Sequence, residues 1–348
     1  MRDDMKDKRE DMLSSDSGNS IPDLPQMTFS GDAVKSLPAG LHVAALYLEN
    51  CPFLESLPED LDVQYLSITD CPKLSHFPDG LHLAHLYAFA SNLEEVPQHS
   101  SCLVQLVLMD CKNLKKLSDR CVVFARDLCL NGCVSLAELP HIKLVHGSLD
   151  VSFTKISHLP ENLMIGEDLL ASGSALETLP PGLRVGRNLF LDSCKNLHFL
   201  PEGLTVFGDL DLSESGIREL PSHCTIAGNL NITATAITEL PADLLVGGKI
   251  IGGPDAWDCR SNSKELPADL PGLIWQGSGY IYCKGVIYRI LEQGEGFWKV
   301  ADPHLNVYRM VSGNDVLFAD SVYYLVSDAS ASYGIGHTLE EARQDLQH

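Results

Sequence analysis

The sequence predicts a solenoid: a long array of coils of about 20 residues, each giving one short strand to a parallel sheet and returning without a helix. Three observations predict it. Leu-Pro steps, or evident variants, place their second residue at Pro38, Pro58, Pro78, Pro97, Ser118, Pro140, Pro160, Pro180, Pro201, Pro221 and Pro241. Their spacings are 20, 20, 19, 21, 22, 20, 20, 21, 20 and 20, and a fixed period of this length outranks any local helix or strand signal. Each unit also contains L-x-L-x-x-(C/S/T), as in LDLSESGIRELP at 210–221 and LNITATAITELP at 230–241. Finally, 348 residues with 45% hydrophobic content suffice to bury a long core.

The two Leu of L-x-L point into the coil and the alternating residues point out, which defines one short strand per unit. Stacked units then form a parallel sheet, expected on the concave side. The Leu-Pro-x-x-Leu segment crosses back as extended or turn-like chain, because Pro fixes φ and disfavours helix at the residue before it.

The residue after each strand divides the units into two kinds. Where it is Cys51, Cys71, Cys111, Cys133 or Cys194, the next core Leu lies three residues on, at Leu54, Leu74, Leu114, Leu136 and Leu197. Where it is Ser91, Thr154, Ser174, Ser215 or Thr235, the next core residue lies two on, at Leu93, Ile156, Leu176, Ile217 and Ile237. Residue identity and turn length change together, as a packing solution requires. The five cysteines therefore read as a structural ladder of small buried hydrophobes. A metal site needs about four converging ligands, and these residues form a line, so no metal and no cofactor are expected. Cys102, Cys121, Cys129, Cys224, Cys259 and Cys283 read as lone exposed thiols.

With its short period and Leu-Pro punctuation, the array resembles bacterial leucine-rich repeats, including those of effectors that enter host cells. The pattern also resembles plant immune-receptor repeats. The resemblance implies a leucine-rich repeat solenoid that binds a protein or peptide partner. It also implies export to a host cell by a signal-peptide-independent route. One effector class carries a ubiquitin-ligase domain with a Cys-x-Asp nucleophile, but no Cys-x-Asp occurs in this chain, so that activity is not implied.

Three regions are expected. Residues 1–30 are acidic and Ser-rich and read as disordered. Residues 31–270 form the repeat array, with an irregular last coil. Residues 271–348 read as a small β-rich module, because YIYCKGVIYRILEQ, FWKVADPHLNVYRMV and VLFADSVYYLVSD are aromatic and β-branched segments between turns. Thr338 and Glu341 make a capping box for a terminal helix. This tail resembles tails containing His-Gly-x-Thr-Leu-x-Glu-Ala on other bacterial or phage-encoded repeat proteins, and it reads as a cap on the array.

The formal net charge is −22, which disfavours nucleic acid and anionic lipid and favours basic partners. There is no apolar run of signal-peptide or membrane-spanning length, so a reducing cytoplasm is expected. The catalytic motifs for phosphate cradling, serine hydrolysis, zinc hydrolysis and calcium binding are absent from the sequence, and a non-enzymatic role is expected. His82 and His85 in GLHLAHLY have a ligand-like spacing, but His42 occupies the slot equivalent to His82, so repeat drift explains them. Two alternatives remain at this stage. One is an enzyme with its activity in the C-terminal module, resting on His304, His337 or Cys283. The other is an architectural or phage-associated bridging protein.

The register singles out one surface. Over ten units, thirty strand positions face outward, just before, between and just after the two core positions. Seven are acidic (Glu49, Asp127, Asp150, Asp168, Asp192, Asp209 and Asp211) and none is Lys or Arg. Tyr47, Tyr65, Tyr87, Phe89, Val107 and Met109 cluster in the first four units, whereas six of the seven acids fall in units five to nine. The expectation is a two-part groove for a basic partner, with contact residues Tyr47, Tyr65, Tyr87, Phe89, Val107, Met109, Asp150, Asp192 and Asp211.

Overall fold

The outward-and-inward alternation of each repeat does produce one strand per coil, and the strands stack in parallel. The structure is a computed structural model. It describes residues 25–253 apart from 79–80, 82, 97–104, 118–122 and 125, and beyond them only separate segments between 274 and 344. A parallel sheet of 12 strands runs through the array. It begins with β1 (Gln26–Ser30), β2 (His42–Glu49), β3 (Asp62–Thr69), β4 (His85–Phe89) and β5 (Gln105–Met109). Two-residue strands follow at Leu128–Cys129, Leu149–Asp150, Leu169–Leu170, Leu189–Phe190, Leu210–Asp211, Leu230–Asn231 and Ile250–Ile251. The chain is thus a parallel β-solenoid with a coil of about 20 residues, and among the described residues only Arg343 and Gln344 are helical.

Two features differ from the sequence reading. Residues 26–30, placed in the disordered tail, form the first strand, and β1 pairs with β2 so that Met27 stands beside Leu46 and Phe29 beside Leu48. Met-Thr-Phe is a degenerate Leu-x-Leu, and Gly31 takes the positive φ that follows each strand. Residues 1–24 lie outside the described residues. In addition, the later coils carry a second short strand in the return. Val123–Phe124, Leu144–Val145, Met164–Ile165 and Arg184–Val185 form one small sheet, and Thr205–Val206, Thr225–Ile226 and Leu245–Val246 another. In β2 and β3 the two segments run together as eight residues. Later coils place Gly147, Gly166, Gly186, Gly208 or Gly228 between them. Glycine weakens a strand interior, so the strand divides there.

The core is a stack of aliphatic side chains. Leu46, Leu48 and Leu54 in one coil, Leu128, Leu130 and Leu136 in another, and Leu210, Leu212 and Ile217 in a third are fully buried. The ladder cysteines Cys51, Cys71, Cys111, Cys133 and Cys194 are also fully buried and free. In the C-terminal stretch the strands Ile274–Trp275, Tyr280–Cys283, Val286–Gly294, Phe297–Asp302, Ser321–Ser327 and Tyr333–Gly336 pair antiparallel in one sheet. Most of the helix expected after Thr338 lies outside the described residues.

The structure shows how the turns close in the cysteine and the threonine coils. In cysteine coils the ladder carbonyl accepts the amide three residues on: Leu114 N–H to the Cys111 carbonyl at 3.0 Å, and Leu136 to Cys133 at 3.0 Å. The thiol meanwhile leans on the preceding coil, with Cys194 Sγ donating to the Ala171 carbonyl at 3.0 Å. In threonine coils the hydroxyl closes a shorter turn itself. Thr154 Oγ1 donates to the Val151 carbonyl at 2.7 Å and accepts the Ile156 amide at 3.4 Å. Thr235 repeats this with Ile232 and Ile237. Side-chain capping of a local turn is a general capacity of hydroxyl residues, and it is used at Thr154 and Thr235, whereas the serine coils have the same turn length without it.

Candidate functional site

The outward face of the 12-stranded sheet has three rows fixed by strand register. The central row runs Tyr47, Ser67, Tyr87, Val107, Cys129, Asp150, Leu170, Phe190, Asp211, Asn231 and Ile251. The flanking row on the entry side includes Tyr65, His85 and Gln105, and that on the exit side Glu49, Thr69, Phe89 and Met109.

At the aromatic end, Tyr47 and Tyr87 flank Ser67, and this small residue leaves room for the ring of Tyr65 between them. The ring centroids of Tyr47 and Tyr65 are 5.4 Å apart, and those of Tyr65 and Tyr87 5.1 Å apart with 27° between the planes. The first pair is tilted and the second stacked, and aromatic pairs at such distances favour each other beyond simple burial. The stack leaves Tyr65 only 6% exposed, and Val107 is also 6% exposed. Of the six apolar residues singled out, Tyr47, Tyr87, Phe89 and Met109 are half-buried and present surface. Tyr87 Oη donates to Gln105 Oε1 at 2.6 Å, and Gln105 Nε2 donates to Asp127 Oδ2 at 3.3 Å.

Asp127 starts a side-chain ladder along the entry row. Its Oδ1 accepts the Ser148 amide at 2.8 Å, and Ser148 Oγ accepts the Asp168 amide at 3.3 Å. Asp168 Oδ1 accepts the Asn188 amide at 2.9 Å, and Asn188 Oδ1 the Asp209 amide at 2.8 Å. Asp209 Oδ1 accepts the Asn229 amide at 2.6 Å, and Asn229 Oδ1 the Lys249 amide at 2.9 Å. These side chains satisfy backbone donors of the next coil at the point where the sheet hydrogen bonds begin. A glycine precedes four of the ladder amides, at Gly147, Gly208, Gly228 and Gly248, where a Cβ would collide with the incoming side-chain oxygen.

Asp150 and Asp211, in the central row, cap their own turns. Asp150 Oδ1 accepts the Ser152 amide at 2.9 Å, and Asp211 Oδ1 accepts the Ser213 amide at 2.8 Å and its hydroxyl at 2.6 Å. Asp192 accepts only a side-chain donor, the Ser172 hydroxyl, at 2.6 Å. All three are half-buried. Five of the acids (Asp127, Asp150, Asp168, Asp209 and Asp211) thus have a backbone task in addition to their charge. Sequence reasoning missed this because it depends on register; the small or acidic residues before the strand leucine, as in Gly208-Asp209-Leu210 and Gly228-Asn229-Leu230, were its trace.

Charged neighbours frame this end. Arg187 lies 3.7 Å from Glu167 and 4.0 Å from Asp168. Burial, then the Asp127 charge, holds the Glu167 carboxyl above its ordinary range despite Arg187.

Two thiols read as exposed are buried. Cys129 is 3% exposed although it lies in the outward row, and its Sγ donates to Asp150 Oδ2 at 3.8 Å. Cys224 takes the core slot held by Leu163, Leu183, Leu204 and Leu244 in other coils, two residues after the Pro-x step, which repeat alignment alone would have revealed. Burial pushes its thiol up to about 12, and that of Cys71 up to about 11. Cys102, Cys121, Cys259, His82, His304 and His337 lie outside the described residues, as does the side chain of Cys283.

Among the described residues no group of three or more His, Cys, Asp or Glu is arranged to hold a metal, and no helix is long and apolar enough to cross a membrane. Comparison with protein-family models, curated proteins and solved structures returned no match for this chain.

Proposed function

We propose that the chain is a non-enzymatic repeat protein of leucine-rich-repeat type that binds a basic protein or peptide on the outward face of its 12-stranded sheet. The observation that carries this reading is the composition of that face. Its thirty positions in the ten regular units hold seven carboxylates and no Lys or Arg, and the aromatic and apolar side chains are densest at one end, with Leu170 and Phe190 interrupting the acidic zone. Tyr47, Tyr87, Phe89 and Met109 supply the apolar contact, since aromatic residues and Met are enriched in protein interfaces. Asp150, Asp192 and Asp211 steer and orient a basic partner. Backbone capping by Asp150 and Asp211 holds their carboxylates in fixed positions, which lowers the ordering cost of an ionic contact.

The test uses the full chain against an array of arginine- and lysine-containing peptides, read by fluorescence anisotropy at low and moderate salt. Met109→Glu and Asp192→Asn are the informative variants, because neither side chain caps a backbone amide of the coil. The reading expects at least one peptide bound by the wild type, weakened by added salt and weakened about tenfold by each variant, as for a loss of ~1.4 kcal/mol. Binding that is indifferent to both variants contradicts it.

A further inference from the structure

We infer that the chain pairs with a second copy of itself through β1, the open edge of its 12-stranded sheet, and so forms a two-fold symmetric dimer. β1 (Gln26–Ser30) ends the strand order, and among the described residues its one strand neighbour is β2. Its other edge presents backbone donors and acceptors that a further strand would satisfy. The side chains are open at the same place. Met27 and Phe29 hold core slots beside Leu46 and Leu48, which are fully buried. Met27 is nevertheless 39% exposed, and Phe29 is only half-buried. Unpaired edges are ordinarily guarded by charge, by Pro or by a bulge. Gln-Met-Thr-Phe-Ser contains no charge and no Pro, and it runs in unbroken register with β2.

Two features select a second copy as the occupant. The first is register. Directly opposed residues of an antiparallel pair point to the same face. A two-fold axis through Thr28 therefore sets Met27 against Phe29 of the second copy on the core side, and the two Thr28 side chains against each other on the outward side. Gln26 then opposes Ser30, and all five residues pair. An axis between two residues would instead place the two cores on opposite faces. The second feature is charge. A chain of net charge −22 repels its own kind, so copies meet best where their acids are remote. The stretch from Pro25 to Leu41 holds one acid and one base, Asp32 and Lys35. The outward positions of the first four regular units hold one carboxylate, Glu49. The acidic zone opens at Asp127, just before the sixth strand counted from β1. At ~4.8 Å per strand, the two acidic zones of a dimer begin about 50 Å apart along the sheet, well beyond the screening length of ~8 Å at physiological salt.

Pairing also extends the outward face. Thr28 stands beside Tyr47, so the central row would run from one Tyr47 through both Thr28 residues to the other Tyr47. The two aromatic ends meet at the axis and the acidic zones lie at the outer ends. An interface of this kind is isologous and closed. It uses β1 alone and stands apart from the basic partner proposed above.

The experiment is sedimentation velocity on the full chain across the micromolar range, at low and moderate salt. The expected result is a monomer–dimer equilibrium that tightens as salt screens the acidic copies, opposite in sign to the salt effect on basic-peptide binding. Thr28→Glu changes an exposed side chain and should weaken the dimer at least tenfold, because two carboxylates then oppose each other on the axis. Circular dichroism checks that its fold is unchanged. Thr28→Cys reads the register directly. Opposed Cα atoms lie ~4.5–5.5 Å apart, inside the window of ~4.4–6.8 Å that a disulfide spans. Mild oxidation with diamide should therefore link position 28 to position 28, as mapped by mass spectrometry. Ser30→Cys, two residues off the axis, should not link to itself. A monomer at every concentration overturns the inference. So does a dimer that Thr28→Glu leaves unmoved, or one that links through Ser30→Cys and not through Thr28→Cys.

Discussion

The residue immediately before every ladder position has a positive φ: Asn50, Asp70, Ala90, Asp110, Gly132, Phe153, Gly173, Ser193, Glu214 and Ala234. Asn, Asp and Gly suit this conformation, and they fill it in five of the ten coils, but the Ala, Phe, Ser and Glu of the other five do not. The requirement comes from the coil, which must turn out of the sheet there. Residue type alone could therefore not reveal it, although the period could. Two glycines in other positions separate conformational strain from crowding. Gly203 has a positive φ and open space around a built Cβ, whereas at Gly228 a Cβ would lie 2.7 Å from the Gly208 carbonyl carbon. Chemical denaturation should give a loss of about 1 kcal/mol for Gly203→Ala and of at least ~2 kcal/mol for Gly228→Ala, where backbone must move. Glu167 offers a charge test. Its pKa is raised in the folded state, so ionisation costs stability above that pKa and the cost vanishes as pH falls below the unfolded value. Glu167→Gln should stabilise the protein at pH 7 and lose that advantage at pH 3.

The side-chain ladder from Asp127 to Asn229 is a property of the strand entries taken together. Asn188 and Asn229 do natively what Asp168 and Asp209 do, offering one oxygen to the next coil's amide. Asp209→Asn should therefore fall within about 0.5 kcal/mol of the wild type, whereas Asp209→Ala, which orphans the Asn229 amide, should cost ~1–3 kcal/mol. Equal losses for the two would show that charge, not the acceptor, is the working part. At this scale the sequence was legible where identity and spacing varied together: the Cys-plus-three and Ser/Thr-plus-two turns are visible in the order of the residues alone. It was not legible where the pattern was degenerate. Met27-Thr28-Phe29 lacks leucine, and the carboxylates showed their charge but not their backbone partners.

Across the whole molecule the solenoid buries thiols at successive heights along one line, and this gives it an alkaline weakness. Folding holds Cys71 at about 11 and Cys224 at about 12 and pushes Cys129, Cys133 and Cys194 up as well. Unfolded thiols ionise at ~8.5. Stability is thus fully present below that pH and should decline as pH rises through 9 and 10, because the unfolded chain releases protons that the folded one retains. Denaturation midpoints measured from pH 7 to 10 check this, and replacing Cys224 by Val should flatten the slope. The period made the array itself readable from the sequence, but a surface's function depends on what meets it, and repetition alone carries no record of that.

The most direct test of the proposed binding face is site-specific photo-crosslinking in the presence of the partner or of a captured basic peptide. A photoreactive residue would replace Met109 or Asp192 on the outward face, or Phe199, which is 64% exposed in a return. The account predicts adducts from positions 109 and 192 that disappear as salt is raised, and none from position 199. Adducts from position 199 with none from 109 and 192 would contradict it and move recognition off the sheet.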